Sequence, residues 1–182
     1  MAVFYLTKFN CVQQNLSQFG RADRKEFFKM RAVIQRVHGA HITINHEIER
    51  ETGAGFVVFL GVMEGDTKAE AEYLAKKIGG LRVFTDSDDK MNLGLKDIGG
   101  DVMIVSNFTL SADCRHGNRP SFINAAKGET AVSLYEYFVE LMRKTEGIGK
   151  TETGEFGAHM DVDVKNNGPV TIIMDTDVIA KR

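Results

Sequence analysis

Two short runs of uninterrupted apolar residues constrain the fold of this chain more than any other feature: Phe56-Val57-Val58-Phe59-Leu60 and Val102-Met103-Ile104-Val105. A strand with one solvated face alternates apolar and polar residues. A strand without alternation is covered on both faces. Two such strands demand a sheet with material packed above and below it. At 182 residues the chain has the length to provide this, since a domain of that size buries roughly 70% of its unfolded surface. No apolar run approaches the roughly 20 residues that a membrane-spanning helix needs.

The second run ends in an unusual way. Val105 is followed by Ser106-Asn107-Phe108-Thr109-Leu110 and then by a polar loop, Ser111–Pro120. If the strand continues with period two, Ser106, Phe108 and Leu110 share one face and Asn107 and Thr109 the other. A rigid strand that gives way to small polar side chains and a loop is a common place for a ligand site. It is also how an ordinary core strand ends.

The remaining elements follow from periodicity. Arg31–Val37, Ile42–Asn45 and Leu81–Phe84 read as strands. Asp66 is the expected N-cap of a helix over 67–79, with Ala71, Leu74, Ala75 and Ile78 on one stripe and Gly79-Gly80 at its end. A second helix is expected over 129–146, with Leu134, Tyr135, Phe138 and Met142 buried. A Gly- and Thr-rich turn over 147–157 leads to a strand near 158–164. Asn166-Asn167-Gly168-Pro169 then turns the chain into a last strand, 170–174. Residues 1–29 lack a clean period and read as an N-terminal extension to a body over 30–182, with Met30 a second candidate start.

Charge and cysteine usage narrow the function. The net charge is −2 and the pI about 6.2, which argues against a basic groove gripping many phosphates. Cys11 and Cys114 show neither metal spacing nor a disulfide framework, which fits a reducing cytoplasm. The five histidines show no ligand spacing with cysteine or carboxylates, and Asp86, Asp88 and Asp89 lack the glycine and glutamate of a calcium loop. Neither metal nor cofactor is expected. A triad of Ser106 with His116 or His159 has no support in the spacing.

Taken together, Ser106-Asn107-Phe108-Thr109-Leu110 and Asn166-Asn167-Gly168-Pro169-Val170-Thr171 resemble the paired motifs of the D-aminoacyl-tRNA deacylases, Ser-Gln-Phe-Thr-Leu and Asn-x-Gly-Pro-Val/Phe-Thr. Ile34-Gln35-Arg36-Val37, Phe84-Thr85-Asp86, Lys90-Met91-Asn92, Arg119-Pro120-Ser121-Phe122 and Leu134-Tyr135-x-Tyr137-Phe138 fall in the family's order. The resemblance spans Met30 to about Asp175. Asn107 departs from it, being one methylene shorter than the family's glutamine.

The resemblance implies an α/β fold with mixed sheets forming a barrel-like core, helices on one side in a three-layer α/β/β arrangement, and a homodimer. It implies hydrolysis of the ester at the 3′ acceptor end of a D-aminoacyl-tRNA, and of glycyl-tRNA mischarged on tRNA-Ala. Catalysis would fall to Ser106, Asn107, Phe108 and Thr109, with backbone N–H groups around Phe108 and Thr109 stabilising the oxyanion. Water activated by the substrate's ribose hydroxyl is favoured over Thr109 as nucleophile, because threonine needs an adjacent base. Gly168 and a cis Pro169, flanked by Asn166 and braced by Arg36, would enter the partner's pocket and exclude L side chains. Two rival readings stay open: editing of a mischarged L-aminoacyl-tRNA, and tRNA binding without catalysis.

Overall fold

A computed structural model describes residues 30–176; the expected extension at 1–29 lies outside the described residues. The chain runs β1 (Arg31–Ile44), β2 (Ile48–Thr52), β3 (Gly55–Gly61), α1 (Lys68–Gly79), β4 (Arg82–Thr85), β5 (Met91–Gly94), α2 (Leu95–Ile98) and β6 (Asp101–Ser106). A 3₁₀ turn (Phe108–Ser111), α3 (Gly128–Arg143), β7 (Thr151–Thr153) and β8 (Met160–Asp175) complete it.

The main sheet has six strands in the order β2-β1-β3-β6-β7, with β8 also paired to β1. The pairs β3–β6 and β6–β7 are parallel and the others antiparallel. The 14-residue β1 holds it together. Its first half pairs with β3 and its second half with β2, while β8 follows almost its whole length. The sheet thereby curls into a nearly closed barrel, with β4 and β5 as a separate hairpin.

The two apolar runs are the adjacent central strands β3 and β6, and they alternate between two cores. Phe56, Val58, Leu60, Val102 and Ile104 pack against α1 and α3. Val57, Met103 and Val105 face the barrel interior with Val37, Ile42 and Ile44. The helices thus cover one face of the central strands and the rest of the curled sheet covers the other. A side chain buried in either core costs about 2–5 kcal/mol when truncated to alanine.

Four expectations change, the first being that the strands expected over Arg31–Val37 and Ile42–Asn45 form one continuous element, β1. The N-cap of α1 is Thr67, not Asp66: the Thr67 Oγ1 accepts from the Ala69 N–H at 3.2 Å, and Glu70 accepts from the Thr67 N–H at 2.8 Å. Asp66 is instead a buried brace that accepts from the backbone N–H groups of Met30 (2.8 Å) and Met63 (2.6 Å), joining the start of β1 to the end of β3. The turn expected over 147–157 contains β7, which extends the sheet beside β6. The two strands expected around Asn166–Pro169 form one element, β8. Gln35 pairs with Thr171 and Val37 with Asn166, so Asn167, Gly168, Pro169 and Val170 lie opposite Arg36 alone. β8 bulges there without leaving the sheet, and a proline is tolerated because bulge residues need not donate to the ladder.

Candidate active site

β6 ends at Ser106, opposite Leu60 in the parallel register. The expected alternation through Leu110 does not occur. The backbone turns instead into the 3₁₀ segment Phe108–Ser111, capped by Asn107. The reason is local: an asparagine side chain offers the backbone an alternative to the ladder. The Asn107 Oδ1 accepts from the Thr109 N–H at 3.1 Å and from the Thr109 hydroxyl at 2.5 Å. The Asn107 N–H donates to the Leu60 carbonyl at 2.8 Å, and Ser111 closes the turn by donating to the Phe108 carbonyl at 2.7 Å.

Close packing fixes this turn against β3. An added Cβ at Gly61 would stand 3.0 Å from the Leu110 Cβ and 3.1 Å from the Asn107 carbonyl oxygen, so a side chain there would press on the turn. Arg31 supplies a tie that the sequence does not reveal. It donates to the Leu110 carbonyl at 2.6 Å, and its remaining guanidinium pairs with Asp175 at 2.7 Å. The end of the 3₁₀ turn is therefore bound to the ends of both β1 and β8.

Ser106, Asn107 and Phe108 line a cavity of about 730 Å³. Its other walls are the 122–128 segment and the 156–160 segment. Phe108 is exposed and meets Phe122 edge-on at 5.1 Å between ring centroids. The Ala126 N–H donates to the Val62 carbonyl at 3.0 Å, holding the second wall to the end of β3. A cavity of similar size, about 800 Å³, lies between α1, α3 and the β4–β5 hairpin, shares no lining residue with this one, and is lined by exposed charged groups such as Glu72, Lys76 and Arg82.

Thr109 is exposed, and its hydroxyl donates to an amide oxygen rather than to a histidine or carboxylate. Nothing in that contact would remove its proton. Its N–H is engaged by the same oxygen, so of the two backbone donors expected here one is already occupied.

Gly168 and Pro169 stand apart from this cavity in the same chain. Both are exposed, and the peptide between them is cis. Arg36, only 8% exposed, lies beneath them. It donates to the Asn167 carbonyl at 3.0 Å, to the Asn167 Oδ1 at 3.4 Å and to the Val83 carbonyl at 2.5 Å. Gly168 has φ 141°, and an added Cβ would meet the Val170 N at 2.6 Å, so only glycine fits. Ser106 lies level with Ala32 through Leu60, whereas the bulge lies level with Arg36. Four residues of β1 separate them, about 14 Å at strand rise.

Three exposed cations are paired with carboxylates. Arg115 pairs with Asp113 at 2.7 Å, Arg143 with Glu140 at 3.0 Å and Lys150 with Glu152 at 3.0 Å. The Arg115 side chain holds the Asp113 carboxyl down at about 2. Lys127 lines the cavity, immediately before α3.

Residues 33–175 match the family model described as D-Tyr-tRNA(Tyr) deacylase. The chain belongs to that family. It is 53% identical over 147 residues to the D-aminoacyl-tRNA deacylase of Thermosipho melanesiensis, covering 81% of this chain and 97% of that one. Against the D-aminoacyl-tRNA deacylase of Thermotoga petrophila the identity is 50% over 147 residues, with the same coverage of 81% and 97%. Among solved structures, the c-Myc DNA Unwinding Element Binding Protein superposes with a TM-score of 0.74 at 39% identity, over 79% of this chain and 97% of that one. A structure titled as a probable eukaryotic D-amino acid tRNA deacylase shares the fold at TM-score 0.68 and 18% identity, over 80% and 98% of the two chains. Membership in the deacylase family makes this chain a hydrolase, and the Ser106–Phe108 cavity is its candidate active site.

Proposed function

We propose that this deacylase cleaves the ester of D-aminoacyl-tRNA, releasing the D-amino acid and free tRNA, in the cavity beside Ser106, Asn107 and Phe108. The observation that carries the reading is that cavity itself, built by the family's motif at the end of a buried strand. With Thr109 held by an amide oxygen, water is the nucleophile, activated by the substrate's own terminal ribose hydroxyl. The Phe108 N–H is the backbone donor left to receive the oxyanion, since the Thr109 N–H is engaged. Lys127 meets the acceptor-end phosphates at the rim.

Chiral selection belongs to Gly168 and Pro169 of a second subunit. Within one chain they lie outside the cavity, exposed and stiffened from below by Arg36. That is the arrangement of a probe made to enter another molecule. β8 has β1 as its only strand partner among the described residues, and Ile173 is 68% exposed, so β8 offers an edge and an apolar contact for a homodimer. Rejection of L side chains by occupied space leaves glycine without a side chain to exclude, so glycyl-tRNA mischarged on tRNA-Ala is a substrate too.

The test is hydrolysis of D-tyrosyl-tRNA and L-tyrosyl-tRNA by the purified protein. Cleavage of the D form alone is expected. Cleavage of both would remove the chiral filter from the reading, and cleavage of neither would leave a tRNA-binding module.

A further inference from the structure

The tip of the β1–β2 hairpin and the start of β8 bring together three groups that stand far apart in sequence. His46, His159 and Asp161 each present a donor atom, and the three atoms lie within 4.8 Å of one another. All three side chains are exposed. The His46 Nδ1 is 3.6 Å from the Asp161 carboxylate, and the His46 and His159 rings lie 5.2 Å apart by centroids, tilted by 37°.

The backbone holds this arrangement. Asn45 and His46 both have positive φ, at 52° and 62°, and the Glu47 N–H closes the turn on the Ile44 carbonyl at 3.0 Å. The Asn45 N–H donates to the His159 carbonyl at 2.9 Å, and the Asn45 Oδ1 accepts from the His159 N–H at 3.2 Å. Two reciprocal bonds thus fix His46 and His159 side by side. Asp161 stands two residues beyond His159, so strand periodicity returns it to the same side.

We propose that His46, His159 and Asp161 form a surface site for a divalent transition-metal ion of borderline softness, such as Zn²⁺, Co²⁺ or Ni²⁺. Two imidazoles and one carboxylate are the donor set such ions favour over Ca²⁺ or Mg²⁺. Ligand bonds of about 2.0–2.1 Å would draw the three donors to about 3.3–3.5 Å from one another. Exposed side chains make that adjustment by rotamer changes alone. The remaining coordination positions face solvent. His159 also lines the Ser106–Phe108 cavity, so the ion would tie the hairpin tip to one wall of that cavity. The structure contains a natural control: His41 lies 3.8 Å from Glu49 and 3.9 Å from Asp163, yet belongs to no compact three-donor group among the described residues. Among the described residues, Cys114 and His116 on an exposed loop are competing donors.

The experiment uses the full chain without a histidine tag, stripped with EDTA and titrated with Co²⁺ while visible absorption is recorded. Zn²⁺ titration by calorimetry and hydrogen exchange run in parallel. One ion per chain is expected, with Co²⁺ ligand-field bands and slower exchange of the Asn45 and His159 amides. His46→Ala and Asp161→Asn should each weaken binding by about tenfold or more, because losing a ligand costs at least as much as losing a group that orients one. His41→Ala and Cys114→Ser should leave binding unchanged, and all four variants should melt like the parent. Absence of saturable binding would overturn the proposal. So would binding that survives His46→Ala but is lost with Cys114→Ser or His116→Ala. Neither readout involves tRNA, so failure here is separate from failure of the hydrolytic reading.

Discussion

The 3₁₀ turn at Phe108–Ser111 and the bulge at Asn167–Val170 are both anchored by arginines of β1, and they differ in how the anchoring is done. Arg31 is part-exposed and divides its guanidinium between the Leu110 carbonyl and the Asp175 carboxylate. Arg36 is buried and gives its donors to three oxygens of amide carbonyls. Arg31 and Arg36 are an odd number of positions apart, so the strand places them on opposite faces; Arg36 shares its face with the buried Ala32 and Ile34. The turn at the cavity is also stabilised from within by the Asn107 cap. The bulge has no comparable cap of its own and depends on the arginine beneath it. A single strand therefore positions both segments, one by local hydrogen bonds with help and the other mainly from below.

Arg36→Ala should break this comparison most strongly. It leaves the Val83 and Asn167 carbonyls without their charged donor, and should lower the unfolding free energy by about 3 kcal/mol in urea denaturation. Turnover of D-tyrosyl-tRNA should fall by about 100-fold, about 2.7 kcal/mol of transition-state stabilisation. Unchanged chirality and rate would show that the bulge needs no brace. Arg31→Ala should do less, because its pair with Asp175 is partly solvated: about 1 kcal/mol by the same denaturation, with turnover down about tenfold.

Asn107→Ala removes the cap and should cost about 1 kcal/mol, read as a lowered melting temperature. Thr109→Ala should keep turnover within about tenfold of the parent, whereas loss of a true nucleophile would cost a factor of 1,000 or more. Asp113→Asn should have the smallest effect. Arg115 holds the folded carboxyl at about 2, below its ordinary value. Its contribution is therefore present above the unfolded value and lost only as pH falls through about 2. The parent should therefore exceed the variant by a small, constant margin between pH 5 and 8, and the gap should close as pH falls through about 2; a gap that changes between pH 5 and 8 would assign the loop a role the structure does not show.

The candidate active-site region divides along the same lines as the comparison. The paired motifs were legible as segments because they interrupt patterns that are otherwise regular: a buried run ending in Ser106-Asn107, and a Gly-Pro step beside a strand. How each segment is shaped was not legible. Asn107 as a cap and the 3₁₀ turn it starts depend on a hydrogen bond that competes with strand continuation, and period alone does not say which wins. Arg31 gave no signal, since an arginine at the start of a strand looks the same whether it faces solvent or a carbonyl. Asp66 and Thr67 are both competent caps, and the choice fell to Thr67 because Asp66 is held by backbone groups of Met30 and Met63.

What the sequence by itself determined is the covered sheet, its two amphipathic helices and the family, because hydrophobic period and motif spacing are local properties that survive in any register. Only the tertiary structure decided that β8 runs unbroken past Pro169, that one arginine faces four bulged residues, and that His46 meets His159 and Asp161. Each depends on which residues of distant strands lie opposite one another. Register is set by the summed packing of two cores, which no single segment of the chain contains.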